Sequence, residues 1–545
     1  MFQRAHLPPL STWALPLGMA VVAFVAVCLQ LDAAGDYPGA SQGPGLTLDE
    51  SFNVQQGVYL VESTRMYGPG VVHPDSLREI FEHPGYLPDH PPLGHVAIGL
   101  FHELARHFAP PGDHQTRFVT TCGRTASAFA FALTVFLVGL TATRWYGSLA
   151  GFAAATSLVL MPRLFGHAHL ASLETWTGLM YAASVLSIAH AWQSAERPAL
   201  RSAMFCGVIF GLALLTKIQA ILLPIPIAIW AVAHWRSRAV LPLLVWGGVG
   251  FVIFFLGWPW LWLDPAGHLS EYFGRTTDRA VLHVTYFGER LADRELPWHY
   301  PWVLFLVTVP LGLHLFGMLG VSGGEEMPGK NRRERLLLGC IAFPLVVFSV
   351  PGVAVYDGVR LFLVVFPLWS LFIGRGVALL WRWLLVRLSR RTAVASLSVL
   401  LLMQMYGVVA YAPCWLSYYN LAVGGLRGAD GLGLQTTYWG DAVTRDLLQQ
   451  VASRVPAGSV IAVSPVPHQF ILDEMLSQSP LLRQRGIVLQ PLTADCIKTA
   501  NYVLFYQRTS DLSPLLMRPP PRAKLVVEVR REGVRLAGLY VLDKP

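Results

Sequence analysis

The sequence predicts a polytopic α-helical membrane protein, followed by a small α/β domain outside the membrane. Of the 545 residues, 54% are hydrophobic and only 14% are charged, whereas a soluble domain carries about 25% charged residues. So few charges cannot cover a water-facing surface, and the lipid bilayer is therefore the expected solvent for most of the chain. The net charge of +8 is expected in cytoplasmic loops. No basic stretch is interleaved with aromatic residues as a nucleic-acid groove would require.

About eleven stretches of the chain are apolar and long enough, or nearly so, to form a spanning helix of about 20 residues. These stretches are 12–31, 118–141, 148–163, 171–192, 202–216, 218–234, 239–262, 300–320, 336–353, 360–380 and 393–411. If the N-terminus lies inside, nearly every short basic cluster falls on the cytoplasmic side, among them Arg4, Arg236 and Arg387. The positive-inside rule therefore predicts a multi-pass protein of the cytoplasmic (inner) membrane with its N-terminus inside.

This orientation places three segments outside the membrane: the loops at about 32–117 and 263–299, and the chain after 411. We therefore expect a transmembrane unit, 1–411, and a C-terminal extracytoplasmic unit, 412–545. The C-terminal unit combines an amphipathic stretch, TRDLLQQVASRV, with the β-type runs SVIAVSP, NYVLFYQ, KLVVEVR and LAGLYVL. This alternation is typical of a small α/β domain. The glycine-rich run GGLRGADGLGL lacks a strand before it and is interpreted as a loop.

The first outside loop carries an acidic pair, Asp49 and Glu50, at the start of a predicted helix. Such acids can stabilise a helix N-terminus by about 0.3–1 kcal/mol without any chemical role. Further on, Asp89 and His90 precede two prolines, which fix the backbone as a rigid polar turn. The turn leads into a helix too short to span, and His102 is expected on its wet face.

A second cluster lies in the run MPRLFGHAHLASLET. Arg163, His167 and Glu174 have the spacing of one helix face, and ionisable groups at membrane depth usually face a cavity or a partner. Two alternatives remain open: a solvated outside loop, or a purely structural pair between Arg163 and Glu174.

Two further motifs place cations near the outer surface. Lys217 interrupts an apolar run, where it can extend to the interface or offer a cation to a lipid phosphate. Tyr356, Asp357 and Arg360 stand at the mouth of a later helix. Arginine suits bidentate phosphate recognition, although Arg360 can also be an anchor paired with Asp357.

Several motifs are absent from the sequence. It contains no P-loop, no GxGxxG between a strand and a helix, and no HExxH. The six cysteines show no metal-ligand spacing. A soluble nucleotide donor is therefore not supported.

At this point the motifs resemble a known family. In chain order they are LDESF, DHPPLGH, CGRTAS, PRLFGHAHLASLET, LLTK, PWHYPW, YDGVRLFLVVFP and LSYYNLAVGGLRGADGLGLQTTYWGD, and they extend from about 48 to 441. Their order relative to the spans resembles that of the GT-C glycosyltransferases, especially bacterial relatives of the protein O-mannosyltransferases and of the lipid A aminoarabinose transferase.

The resemblance implies transfer of a sugar, with inversion, from a polyprenyl-phosphate donor to a hydroxyl of a protein, lipid or glycan at the outer membrane face. It implies that Asp49 is the general base, with Glu50 beside it and Glu174 as a second acid. The leaving phosphate needs cationic partners. The residues expected around the donor phosphate are Lys217, Arg360, Arg163 and Tyr356, and those expected at the loop or acceptor side are Asp89, His90, His95 and His167.

The chain departs from the family pattern at two positions. Glu174 stands where relatives often have aspartate, and His95 stands where the protein O-mannosyltransferases often have lysine. No cofactor is firmly implied, and a divalent metal, if there is one, is expected at Asp49 and Glu174.

Two other function classes remain open: a transporter or flippase of lipid-linked substrates, and a non-catalytic membrane scaffold. Transporters tend to show paired halves with broken helices at matching positions. The sequence shows no such symmetry, which favours the transferase.

Overall fold

The computed structural model describes residues 11–32, 43–108, 119–193, 197–277, 280–323, 330–465, 468–477, 479–493, 495–512 and 523–542. Arg4 and parts of the predicted first loop lie outside the described residues. The α-helices before the C-terminal unit are Ser11–Cys28, Glu50–Tyr67, Pro74–Phe81, Pro92–Arg106, Thr120–Tyr146, Ser148–Val159, Pro162–His167, Leu173–Ala191, Leu200–Leu214, Pro224–Trp235, Val240–Gly257, Trp260–Leu263, Pro265–Thr277, Tyr300–Thr308, Leu311–Ser322, Lys330–Val347, Phe366–Arg387, Arg390–Leu402 and Tyr406–Ala410. Short 3-10 helices, among them Ile218–Leu222 and Arg360–Val365, adjoin some of them. Those of the C-terminal unit are Gly425–Gly431, Arg445–Arg454, Gln469–Ser477, Pro480–Gln484 and Cys496–Thr499.

Each predicted spanning stretch contains helix, but the number of eleven spans is not confirmed. Within the described residues, four helices are long and apolar enough to cross a bilayer, and a bent pair adds a fifth if it counts as one span. When adjoining helices are counted as one, these are Thr120–Tyr146, Ile218–Gly257, Arg360–Arg387 and Arg390–Ala410. The bent pair is Tyr300–Thr308 with Leu311–Ser322. Other apolar helices, such as Ser148–Val159, are only 12–17 residues long. Polar turns and prolines divide the apolar runs below the length of about 20 residues that spanning needs.

Two helices of the predicted first outside loop pack against each other through glycine. A Cβ placed on Gly57 of helix Glu50–Tyr67 would lie 2.4 Å from the carbonyl oxygen of His95. A Cβ on Gly99 of helix Pro92–Arg106 would lie 2.1 Å from the carbonyl oxygen of Gly57. Only glycine permits this backbone approach. The contact brings the Asp49 end of one helix beside the turn that precedes the other.

The strands form two sheets. Strands β1 (His283–Tyr286) and β2 (Glu289–Ala292) form an antiparallel hairpin in the predicted second outside loop. In the C-terminal unit, β3 (Val460–Ser464), β4 (Val488–Pro491), β5 (Tyr502–Tyr506), β6 (Ala523–Arg531) and β7 (Val534–Leu542) form a sheet of order β4-β3-β5-β7-β6. The first three strands pair in parallel, and β7 is antiparallel to β5 and β6. A small sheet region at the C-terminus is thus present, as the sequence predicts.

The C-terminal unit packs directly on the segment before Asp49 and on the start of helix Thr120–Tyr146. Glu474, on helix Gln469–Ser477, is buried and accepts a hydrogen bond from the Thr120 hydroxyl. Burial raises the pKa of the Glu474 carboxyl to about 7. The backbone nitrogen of Gly45 donates to the Asp441 carbonyl oxygen at 2.8 Å. The segment leading to Asp49 is therefore held by the C-terminal unit.

Candidate active site

The two residues of the acidic pair have different surroundings. Asp49 precedes helix Glu50–Tyr67, but its side chain makes no capping hydrogen bond. It forms an ion pair with Arg360, and 35% of the side chain stays exposed. Glu50 is fully buried against Arg124, with 2.7 Å between Glu50 Oε1 and Arg124 Nε. Asp49 is therefore a partly exposed carboxylate paired with Arg360, whereas Glu50 belongs to a buried pair with Arg124.

Arg360 joins three carboxylates that are far apart in sequence. Besides Asp49, its Nε lies 2.7 Å from Glu174 Oε1 and its Nη1 lies 3.2 Å from Asp357 Oδ2. The guanidinium carbon lies 4.3 Å from the ring centroid of Trp439. Charge-assisted contacts of this kind are stronger than neutral hydrogen bonds and fix the planar guanidinium in orientation.

A tight turn aims Arg360 at the site. Asp357 and Gly358 both have positive φ, at 54° and 65°, and Arg360 begins the short helix Arg360–Val365 two residues later. A Cβ on Gly358 would lie 2.8 Å from Arg163 Nη1, so glycine is needed both for the backbone conformation and for space. The turn places Asp357 and Arg360 on the same side.

Lys217 is the second cation of the site. It lies in an extended break between helix Leu200–Leu214 and the short helix Ile218–Leu222. The side chain is buried, and its Nζ lies 2.5 Å from Glu174 Oε1. Glu174 therefore receives both Lys217 and Arg360 on one oxygen. Glu174 is thus a buried carboxylate whose charge is compensated by two cations.

These side chains line one cavity of about 320 Å³. The lining residues are Leu48, Asp49, Phe52, Asn53, Asp89, His90, Leu173, Glu174, Lys217, Leu282, Tyr356, Asp357, Arg360, Trp439 and Arg508. Of the residues expected at the site, the structure brings together Asp49, Glu174, Lys217, Arg360, Tyr356, Asp89 and His90.

A second cavity of about 650 Å³ shares four lining residues with the first, namely Asp89, His90, Lys217 and Tyr356. The rest of its wall is mainly apolar, but it also contains Gln219, Arg275 and Arg294. The remaining lining residues are Ile218, Gln219, Ile221, Leu222, Arg275, Arg294, Val347, Phe348, Gly352, Val353, Ala354 and Leu361. An ionic cavity thus adjoins a larger apolar one.

Four of the expected site residues do not line the cavity: Glu50, Arg163, His95 and His167. Arg163 donates from Nε to the Tyr418 carbonyl oxygen at 3.1 Å and stacks on Tyr419 at 4.5 Å. The predicted common helix face of Arg163, His167 and Glu174 is wrong, because two helices, Pro162–His167 and Leu173–Ala191, divide this segment. The suggested pair of Arg163 with Glu174 is also not formed.

The expected histidines are uncharged at neutral pH. Burial, with Lys217 nearby, lowers the pKa of His95 to about 3, and burial lowers that of His167 to about 3. Burial also holds the pKa of His90 well below its usual value. His95 Nε2 lies 3.1 Å from Asn53 Oδ1, so it supports a residue of the cavity wall without adding a charge.

The structure adds residues to which the sequence assigned no role. Trp439 and Arg508 line the cavity from the chain beyond the last apolar helix. Trp439 lies in the family-like run TTYWGD, which could have indicated it, whereas nothing in the run YQRTSD indicated Arg508. Within the described part of the chain, no group of three or more His, Cys, Asp or Glu side chains is placed to hold a metal ion.

Comparison with known proteins agrees with the class that the motifs indicate. A family model described as dolichyl-phosphate-mannose-protein mannosyltransferase matches residues 89–262, about a third of the chain. The matched segment contains Asp89, His90, Glu174 and Lys217. Among curated proteins no match was found. The family match confirms, over residues 89–262, the predicted resemblance to the protein O-mannosyltransferases.

Solved structures show distant similarity over long parts of the chain. Cupriavidus metallidurans ArnT bound to undecaprenyl phosphate is 16% identical, with a TM-score of 0.47 and coverage of 96% of this chain and 97% of that chain. The Archaeoglobus fulgidus oligosaccharyltransferase AglB, in complex with an inhibitory peptide and a dolichol-phosphate, is 11% identical, with a TM-score of 0.47 and coverage of 90% and 69%. The S. cerevisiae protein O-mannosyltransferase Pmt1-Pmt2 complex bound to the sugar donor is 15% identical, with a TM-score of 0.33 and coverage of 51% and 39%.

Proposed function

We propose that this protein is an integral membrane glycosyltransferase that moves a sugar from a polyprenyl-phosphate donor to an acceptor hydroxyl on a protein, lipid or glycan. One observation carries the proposal. Asp49, Glu174, Lys217 and Arg360 come from four separate segments, yet they line one cavity beside a larger, mainly apolar one. A carboxylate, two cations and an apolar compartment are what an acid–base reaction on a lipid phosphate requires.

The two cavities fit the two parts of the donor. Ile221, Val347, Phe348 and Leu361 of the second cavity offer apolar surface to a polyprenyl chain. Lys217 lines both cavities, so a phosphate at their junction lies within reach of its ammonium group. Arg360, which lines only the first cavity, offers the planar donors that recognise phosphate oxygens in pairs.

In the proposed step, Asp49 accepts the proton of the acceptor hydroxyl as the oxygen attacks the anomeric carbon of the sugar. The bond from that carbon to the phosphate oxygen breaks, and the polyprenyl phosphate leaves with the bonding electron pair. Attack on the face opposite the leaving phosphate inverts the anomeric configuration. Lys217 and Arg360 stabilise the negative charge that grows on the phosphate.

The ion pairs of the site also explain how the base is released. Arg360 is already held by three carboxylates, and the donor phosphate must compete with them. Asp49 is the most exposed of the three, at 35%, against 2% for Glu174 and 4% for Asp357. Phosphate therefore displaces Asp49 most easily. Once Arg360 turns to the phosphate, the Asp49 carboxylate oxygen that it held is free to accept the proton of the acceptor hydroxyl.

We place the reaction at the outer face of the cytoplasmic membrane, with the N-terminus inside. This placement rests on the distribution of arginine and lysine between the apolar stretches. The same orientation puts the unit 412–545 outside, on the side of the cavity.

Transfer by the purified protein tests the proposal. The protein is supplied with a set of polyprenyl-phosphate sugars and with acceptors from the three classes, and free polyprenyl phosphate is measured by mass spectrometry. We expect one donor to be consumed in step with acceptor glycosylation. Movement of an intact donor across a vesicle membrane without cleavage would instead identify a flippase. Absence of both activities would favour the non-catalytic scaffold. Comparison of the lipid-linked sugars in cells with and without the gene identifies the sugar that is transferred.

A further inference from the structure

The C-terminal unit contributes a charged side chain to the cavity. Arg508 follows strand β5, yet it lines the same cavity as Asp49 and Arg360. Its side chain is only 5% exposed. A buried arginine at the inner surface of an attached domain needs partners, and the identity of those partners indicates its role.

Each of the three guanidinium nitrogens of Arg508 lies close to an oxygen atom. Nη2 lies 3.2 Å from Asp357 Oδ1, and Nε lies 2.6 Å from Asp511 Oδ2. Nη1 donates to the Tyr438 carbonyl oxygen at 2.7 Å. The other oxygen of Asp357, Oδ2, receives Arg360 Nη1 at 3.2 Å. Asp357 thus divides its carboxylate between an arginine of the C-terminal unit and the arginine of the proposed donor site.

The turn that carries Arg508 is fixed from outside by the hairpin β1–β2. The Thr509 hydroxyl donates to Thr285 Oγ1 at 2.8 Å. Arg290 Nε donates to the Ser510 carbonyl oxygen at 2.5 Å. The hairpin therefore holds the turn from which Arg508 reaches Asp357.

We propose that Arg508 is a positioning residue of the donor site, acting on Arg360 through Asp357. The proposal rests on the transferase function proposed above. Arg508 neutralises one face of Asp357, so that Asp357 orients Arg360 without binding it too strongly. Without Arg508, the full charge of Asp357 draws Arg360 away from the phosphate. The C-terminal unit is then part of the donor site.

Binding of undecaprenyl phosphate to the full-length protein tests this inference. We expect Arg508→Ala to raise the dissociation constant about tenfold, because the phosphate loses part of its charge-assisted contact with Arg360, and Arg508→Lys to raise it by about threefold. The double variant Arg508→Ala/Asp357→Asn should recover most of the affinity, because the unbalanced charge is removed. If Arg508 only stabilised the fold, the double variant would not recover affinity for undecaprenyl phosphate.

Arg535→Ala is the matched control, because Arg535 lies in the same unit but pairs with Glu528 away from the cavity. Its affinity should equal that of the wild type. Equal affinity of Arg508→Ala and the wild type, or additive losses in the double variant, would overturn the inference. If Arg508→Ala does not fold, Arg508→Lys decides, and an unchanged dissociation constant overturns the inference. A wild type that does not bind undecaprenyl phosphate contradicts the proposed function itself.

Discussion

Replacement of Arg360 gives the most direct view of the donor phosphate site. The Arg360 side chain is 10% exposed and contacts three carboxylates. Removing one partner of a buried ion pair costs about 3–5 kcal/mol, because the remaining charge is left uncompensated. Arg360→Ala is therefore expected to weaken folding as well as donor use. Arg360→Lys keeps the charge but loses the planar, two-pronged geometry.

The lysine variant separates the two effects. Loss of one charge-assisted hydrogen bond to the donor phosphate corresponds to about 1.5–3 kcal/mol, or about a 10- to 150-fold rise in the donor KM. The acceptor KM should stay unchanged, because Arg360 acts on the phosphate. The assay is steady-state transfer by purified protein, with each substrate varied in turn. Arg427→Lys, at an exposed position, serves as the control.

A donor KM of Arg360→Lys equal to that of the wild type would refute this reasoning. So would an equal rise in the donor and acceptor KM values, which would indicate a general distortion of the cavity. Arg360→Ala should show the same selectivity for the donor, with a lower melting temperature.

Two further predictions concern buried charges. Lys217→Met leaves Glu174 with one cation fewer and should lower the melting temperature. The double variant Lys217→Met/Glu174→Gln should restore part of the loss. Equal melting temperatures of the single and double variants would contradict a stabilising ion pair between Lys217 and Glu174. Burial raises the pKa of Glu474 from 4.5 to about 7, so the folded protein keeps a proton that the unfolded chain releases. The stability of the wild type should therefore fall as pH rises from about 4.5 to 7, and that of Glu474→Gln should fall less steeply. Parallel pH profiles of the melting temperature for the wild type and the variant would contradict this.

The sequence was sufficient to predict several cavity residues, because each stands out from its neighbours. Lys217 interrupts an apolar run, and Asp49 and Arg360 lie in polar motifs beside predicted spans. Their common cavity could not be predicted from spacing alone, because it joins segments more than 100 residues apart.

Other expectations failed for local physical reasons. The common helix face of Arg163 and Glu174 assumed one continuous helix, but the backbone leaves the helix between His167 and Leu173. His102 is buried and not on a wet face, because its Nε2 accepts the backbone N–H of Val119 at 2.9 Å. The glycine-rich run contains the short helix Gly425–Gly431 where a loop was expected.

Arg508 shows the limit of motif reasoning. Its role depends on Asp357, which lies 151 residues earlier in the chain. A single arginine in a polar strand connection is ordinarily a solvated surface residue, and only tertiary packing turns it toward the cavity.

The central claim, that Asp49 is the general base, is tested most directly by Asp49→Asn. We predict that this variant loses at least about 100-fold in kcat, since general base catalysis contributes about 10²–10⁴. It should bind undecaprenyl phosphate at least as tightly as the wild type, because a carboxylate no longer competes for Arg360. Asp75→Asn, an 82% exposed aspartate of the same loop, should keep full activity. Full transfer activity of purified, folded Asp49→Asn would contradict the account.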